Sequence, residues 1–212
     1  MIKNLLQIEA DVRALGYHHI AGVDEAGRGP LAGPVVAAAC VIPESIILLD
    51  VDDSKNLNSE TREKLYAEIV SINEIDYGIG IIDNRVIDQI NILQATFAAM
   101  RLAIAALKQK PDFLLVDGLH LPTHDILGKW FVKGDSRVRS IAAASILAKV
   151  TRDRLMCDYH LKWPEYGFEQ HKGYGTIKHI QALARYGPCP IHRLTFEPLK
   201  TSLTHERKGC IL

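Results

Sequence analysis

Three short, largely apolar runs in this chain each lead directly into an acidic residue. Ile20-Ala21-Gly22-Val23 runs into Asp24 and Glu25, Phe113-Leu114-Leu115-Val116 into Asp117, and Phe131-Val132-Lys133-Gly134 into Asp135. A four- or five-residue strand that is apolar throughout needs cover on both faces, and helices packed on a mixed or parallel sheet supply it. Carboxylates at the ends of such strands stand where open α/β sheets place ligand sites. A single acid there is ordinary turn chemistry; three together, with Glu25 as a fourth, point to a site. Converging anionic oxygens repel one another unless a cation lies among them. A set of hard oxygen donors with no matched Cys/His cluster favours Mg²⁺ or Mn²⁺ over zinc.

The order of elements supports an α/β reading. Residues 4–15 carry Leu5, Ile8, Val12 and Leu15 on one helical face, and His18–Asp24 and Gly33–Ile42 read as strands joined by the turn Gly27-Arg28-Gly29-Pro30. Asn58 or Ser59 caps a helix with Leu65, Ile69 and Ile72 in its stripe, and Tyr77–Ile82 is a third strand. The spacing of Ile90, Leu93, Phe97, Met100 and Ile104 predicts one long core-packed helix over Val86–Lys108. Strands then follow at Phe113–Val116 and Trp130–Lys133, with Trp130 and Phe131 expected in the core, and an alanine-rich helix at Arg137–Met156. A glycine-rich loop, a helix near Ile177–Tyr186 and a tail from about Pro198 complete the chain. The expectation is one domain over residues 1–197 and a loosely held tail over 198–212.

Charge divides the chain unevenly. Residues 1–128 hold 10 Lys/Arg against 18 Asp/Glu, a net of −8; residues 129–193 hold 12 against 5, a net of +7; the whole chain is neutral. An acidic first part and a basic later part suit a metal-binding centre beside a phosphate-binding surface. The longest apolar run, Val35–Ile42, is far short of the roughly 20 residues that span a bilayer. With no secretory leader recognisable, Cys40, Cys157, Cys189 and Cys210 are expected as reduced thiols in the cytoplasm. His120 and His124, with Pro122 between them, make a poor zinc site.

The segment Gly22-Val-Asp-Glu-Ala-Gly-Arg-Gly-Pro30 carries the most specific chemistry. Its glycines let the backbone approach a ligand closely, and the arginine between them is a fork for phosphate. Lys55, Lys149 and Arg152 are further candidate phosphate ligands, with Ser145, Lys149 and Arg152 on one helix face at i, i+4 and i+7.

Asp24-Glu25-Ala-Gly-Arg-Gly29, Asp53-Ser-Lys55, Val116-Asp-Gly118, Lys133-Gly-Asp135, Ala142-Ala-Ala-Ser-Ile-Leu-Ala-Lys-Val-Thr-Arg-Asp153 and His171-Lys-Gly-Tyr-Gly-Thr176 together resemble bacterial ribonuclease HII, in order and spacing, from about Ile20 to Phe196. The resemblance implies a ribonuclease H-like fold: a five-stranded mixed sheet flanked by helices, with a helical C-terminal part. It implies that Asp24, Glu25, Asp117 and Asp135 bind two Mg²⁺ or Mn²⁺ ions, that Gly27, Arg28 and Gly29 contact the scissile region and its 2′-hydroxyl, and that Tyr174 packs on the sugar beside an RNA–DNA junction. The implied substrates are RNA–DNA hybrids and duplex DNA containing ribonucleotides, cut 5′ of the ribonucleotide to leave a 3′-hydroxyl and a 5′-phosphate. A monomer is expected, and the tail contains no recognisable clamp-binding peptide. Two other readings use the same residues: a catalytically silent nucleic-acid-binding module, which the intact set of four acids opposes, and a Mg²⁺-dependent phosphohydrolase of small substrates, which the basic 129–193 region and Tyr174 disfavour.

Overall fold

The computed structural model describes residues 2–46, 48, 57–123 and 125–201; Lys55, His124, Cys210 and the tail from 202 lie outside them. Helix α1 (Ile2–Ala14) leads into strands β1 (Ile20–Ala26) and β2 (Val35–Val41), helix α2 (Ser59–Ser71), strand β3 (Asp76–Ile82) and helix α3 (Asn84–Ala105). Strands β4 (Phe113–Asp117) and β5 (Leu127–Phe131) follow, then a 3₁₀ turn at Gly134–Ser136 and helices α4 (Arg139–Lys162), α5 (Phe168–His171) and α6 (Ile177–Tyr186). The sheet order is β3-β2-β1-β4-β5. β1 pairs antiparallel with β2 and parallel with β4, and β4 pairs parallel with β5.

Side-chain alternation along β2 divides the core into two layers. Val36, Ala38 and Cys40 pack with α2 and α4, whereas Val35, Ala37, Ala39 and Val41 pack with α3. Two helices lie unusually close to the sheet, and glycines permit it. A Cβ on Gly22 would fall 2.1 Å from the Ser140 carbonyl carbon of α4, and one on Gly80 would fall 1.9 Å from the Ala99 oxygen of α3. At the start of α4, the buried Glu9 of α1 accepts from the Ser140 amide at 2.8 Å and from Arg139 Nη2 at 2.9 Å. A carboxylate at a helix N-terminus meets both unpaired amides and the positive end of the helix dipole.

Four expectations are corrected. The long helix is broken at Asn91 (φ 67°), whose side chain accepts from the amides of Leu93 and Gln94 and so recaps the second segment. The break rotates Ile90 and Leu93 outward, so only the later part of the proposed stripe, Met100 and Ile104, is fully buried. Trp130 is 50% exposed because β5 is an edge strand. That strand ends at Phe131, so Asp135 sits in the following 3₁₀ turn and not on a strand end. The first residues of the expected loose tail are anchored instead, with Leu199 buried and the Lys200 amide donating to the Phe196 carbonyl.

Candidate active site

Parity along β1 places Asp24 on the same face as Gly22, the face that α4 covers. Asp24 therefore meets Ser145 of α4, whose hydroxyl donates to its carboxylate. Asp24 lies within β1, one residue past Val23; Val23 pairs with Val116, so Asp117 ends the adjacent parallel strand one step on. Asp117 Oδ1 accepts from the Gly134 amide at 2.6 Å. That bond ties the end of β4 to the turn that carries the buried Asp135.

Charge is concentrated here at a cost. Burial holds the Asp24 carboxyl well above the usual carboxylate range, and Glu25 and then Asp117 push it further in the same direction. Glu25 is also raised, chiefly by burial, although Arg28 Nη1 at 3.2 Å opposes the shift. Among the described residues, no three Asp, Glu, His or Cys side chains are closed into a ready metal cage. Asp24, Glu25 and Asp117 nevertheless lie near enough for Asp117 to raise the carboxyls of the other two. An anionic, all-oxygen donor set of this kind fits a hard divalent cation, and Asp24, Glu25, Asp117 and Asp135 are the residues available to hold one.

Beside the acids lies a cavity of about 380 Å³, whose walls include Glu25, Arg28, Gly29, Arg62, Lys149 and Tyr174. A Cβ on Gly29 would stand 3.6 Å from Tyr174 Cε1, so the loop and the ring are neighbours. The loop itself is held from behind by two buried arginines. Arg193 donates to the carbonyls of Gly27, Arg28 and Gly33, and Arg152 to those of Ala32, Pro34 and Lys172. Gly27 (φ +96°) has to be glycine: a Cβ there would fall 2.0 Å from Arg152 Nε.

The ribonuclease HII family model matches residues 21–199. The chain belongs to the ribonuclease HII family. It is 56% identical over 188 residues to the ribonuclease HII of Chlamydia trachomatis serovar L2, covering 89% of this chain and 86% of that one. It is 55% identical over 196 residues to the ribonuclease HII of Geotalea daltonii, covering 92% and 90%. The fold is similar to that of the ribonuclease H2 of Pyrococcus horikoshii, with a TM-score of 0.74 and 31% identity over 89% of this chain and 99% of the other. Family membership makes the chain a ribonuclease H enzyme and agrees with the five-stranded mixed sheet expected from the sequence.

The expected phosphate ligands fare unequally. Ser145 and Lys149 line the cavity, with Lys149 Nζ 2.7 Å from Asp153. Arg152 also reaches the wall, but the expectation that it binds phosphate is corrected: it is 1% exposed and its guanidinium is committed to three backbone carbonyls. Arg193 escaped the sequence reading, because its partners are carbonyls and leave no pattern in side-chain types.

A chain of histidines reaches Tyr174 from the other side. His192 Nδ1 lies 2.9 Å from the Cys189 amide and 3.2 Å from the Cys189 carbonyl; a neutral ring that accepts from the nearer amide carries its hydrogen on Nε2. His192 Nε2 then donates to His179 Nε2 at 3.0 Å, which leaves His179 Nδ1 to donate to the Tyr174 carbonyl at 2.9 Å. Burial, and then the neighbouring His179, pull His192 down to about 4, so the chain is neutral at ordinary pH.

Proposed function

We propose that this enzyme hydrolyses the RNA strand of RNA–DNA hybrids and cuts 5′ of ribonucleotides embedded in duplex DNA, leaving a 3′-hydroxyl and a 5′-phosphate. The observation that carries this reading is the buried Asp24, crowded by Glu25 and Asp117 at the edge of a cavity walled by Arg28, Gly29 and Tyr174. Asp24, Glu25, Asp117 and Asp135 would hold Mg²⁺ or Mn²⁺ there. Two such ions, when bound, lower the pKa of an attacking water and stabilise the leaving oxygen of a phosphodiester.

The chain's own residues supply the rest. Ser145 fixes the Asp24 carboxylate, and the Gly134 amide fixes that of Asp117. Gly27, Arg28 and Gly29 form a rigid backbone edge able to approach a ribose closely, which is what reading a 2′-hydroxyl requires. Tyr174 offers a ring face to the neighbouring sugar, and Lys149 a charge to the backbone. Lys55 was expected to add another and lies outside the described residues.

Incubation with a DNA duplex holding one ribonucleotide, plus Mg²⁺ or Mn²⁺, tests the reading. Cleavage on the 5′ side of that ribonucleotide is expected. Binding without cleavage would favour a silent binding module, and hydrolysis of small phosphate esters alone would favour a phosphohydrolase.

A further inference from the structure

We infer that Arg62 of α2 forms a phosphodiester-binding subsite on the cavity wall supplied by that helix, extending the enzyme's footprint on nucleic acid. The inference rests on the proposed function, because it takes the cavity beside Asp24 as the path of a nucleic-acid strand.

Among the described residues, four cationic side chains line that cavity: Arg28, Arg62, Lys149 and Arg152. Three already have counter-charges or acceptors. Arg28 pairs with Glu25 at 3.2 Å, Lys149 with Asp153 at 2.7 Å, and Arg152 with its three carbonyls. Arg62 differs. Its Nη1 donates to the Leu57 carbonyl, which uses one of five N–H donors and anchors the side chain without neutralising it.

The acids nearest to Arg62 along α2 are engaged elsewhere. Glu60 pairs with Lys64 at 2.8 Å, and Glu63 pairs with Arg154, which also lies over the Tyr66 ring. No described carboxylate pairs with Arg62. A half-buried guanidinium anchored by one edge, and not neutralised by any described residue, is arranged to take an anion, and its planar fork matches the paired oxygens of a phosphodiester. The position adds reach. Arg28 and Tyr174 belong to the loops about Gly29 and Gly173, whereas Arg62 comes from a separate helix, so a strand touching all three is held from two directions.

Equilibrium binding of the whole chain to an RNA–DNA hybrid in metal-free buffer, across a salt series, tests this without relying on catalysis. The variants are Arg62→Gln, which keeps an amide able to donate to Leu57; Arg62→Lys, which keeps the charge; and Arg154→Ala, which removes a cation outside the cavity. Each lost phosphate contact lowers the slope of log affinity against log salt by about 0.9. Arg62→Gln is expected to lower it by about one unit and to weaken binding similarly on all sequences. Arg62→Lys should keep the wild-type slope with weaker binding, and Arg154→Ala should leave the slope alone. Thermal unfolding of each variant checks that the fold survives. A steep wild-type slope that Arg62→Gln leaves unchanged, or that Arg154→Ala lowers equally, overturns the subsite alone. A wild-type chain that does not bind the hybrid overturns the proposed function and the subsite with it.

Discussion

Arg193 and Gly27 stand 166 positions apart in the chain, and the guanidinium of one donates to the carbonyl of the other at 2.6 Å. The same guanidinium also reaches Arg28 and Gly33, at 3.0 Å each. Burial, together with the nearby Arg152 charge, pulls Arg193 down to about 9, so the protein bears an energetic cost to keep two guanidiniums behind one loop. That cost is understandable if the loop must be rigid.

Arg193→Lys tests the point. An ammonium cannot span three carbonyls in a plane, so about two charge-assisted bonds are lost, at roughly 3 kcal/mol of stability. Cleavage of a ribonucleotide-containing duplex should fall at least about tenfold, mostly in kcat, because a 1 Å misplacement of positioning groups alone costs up to about 100-fold. A variant with wild-type kcat would show that the loop does not need this support.

Asp24→Asn makes the opposite trade. It removes one negative charge from a site where Glu25 and Asp117 already press on Asp24, while keeping its shape. Cleavage should fall by orders of magnitude. Without metal, the variant should nevertheless be more stable than wild type, because burial and the neighbouring Glu25 and Asp117 all disfavour the charged carboxylate that the substitution removes. Added Mn²⁺ should raise the wild-type Tm more than that of the variant. Loss of both activity and stability would assign Asp24 a structural role.

The elements whose period is set by burial were legible in the sequence, and those set by distant partners were not. The helix expected near Ile177–Tyr186 is found there, with Thr176 capping its start and Gly187 following its end, both local features. The placement of Asp24 and Asp117 on strands was legible because apolar runs lead into them. The setting of Asp135 was not legible: Lys133 turns into the left-handed region (φ 56°) to form the 3₁₀ turn, which no side-chain pattern announces. Asn91 broke a helix that an unbroken apolar spacing had predicted, since one side chain accepting two amides outweighs the periodicity around it. Arg152 was misread because helix-face spacing shows where a side chain starts and not what receives it. Its acceptors are carbonyls of the Ala32–Pro34 segment and of Lys172.

The histidine chain predicts a pH dependence of stability. His192 is pulled down to about 4 in the fold, against an ordinary value near 6.5, chiefly by burial and then by the facing His179. His171, stacked on His179 at 4.5 Å, and the Cys189 backbone are its other polar surroundings, with Tyr166 and Phe168 packed alongside. Between those two values the unfolded chain binds a proton that the folded one does not, so stability falls as pH drops from about 6.5 to about 4. His179 and His171 are shifted downward too and act in the same direction. The Tm of wild type should therefore fall more steeply over this window than that of His192→Gln. Parallel curves would remove His192 from the account.

On the proposed function, Tyr174 is the residue that would distinguish a junction from a uniform hybrid. Its ring lies beside Gly29, its amide bonds to the His171 carbonyl, and its own carbonyl receives His179, so its backbone is fixed on both sides. A ring held this firmly can pack on a deoxyribose 3′ of the ribonucleotide, whereas a second 2′-hydroxyl would crowd it. Removing the ring should then matter most where that deoxyribose is present. Tyr174→Ala is expected to cut cleavage at a single embedded ribonucleotide by about tenfold or more, on the scale of one lost stacking contact of roughly 1–3 kcal/mol. Cleavage within a long RNA–DNA hybrid should fall less. Tyr174→Phe separates packing from hydrogen bonding: near-normal cleavage means the ring face suffices, and a loss close to that of Tyr174→Ala means the hydroxyl also orients the sugar. Measuring kcat/KM on both substrates for all three proteins settles the role, and equal losses on the two substrates would make Tyr174 a structural residue that does not read the junction.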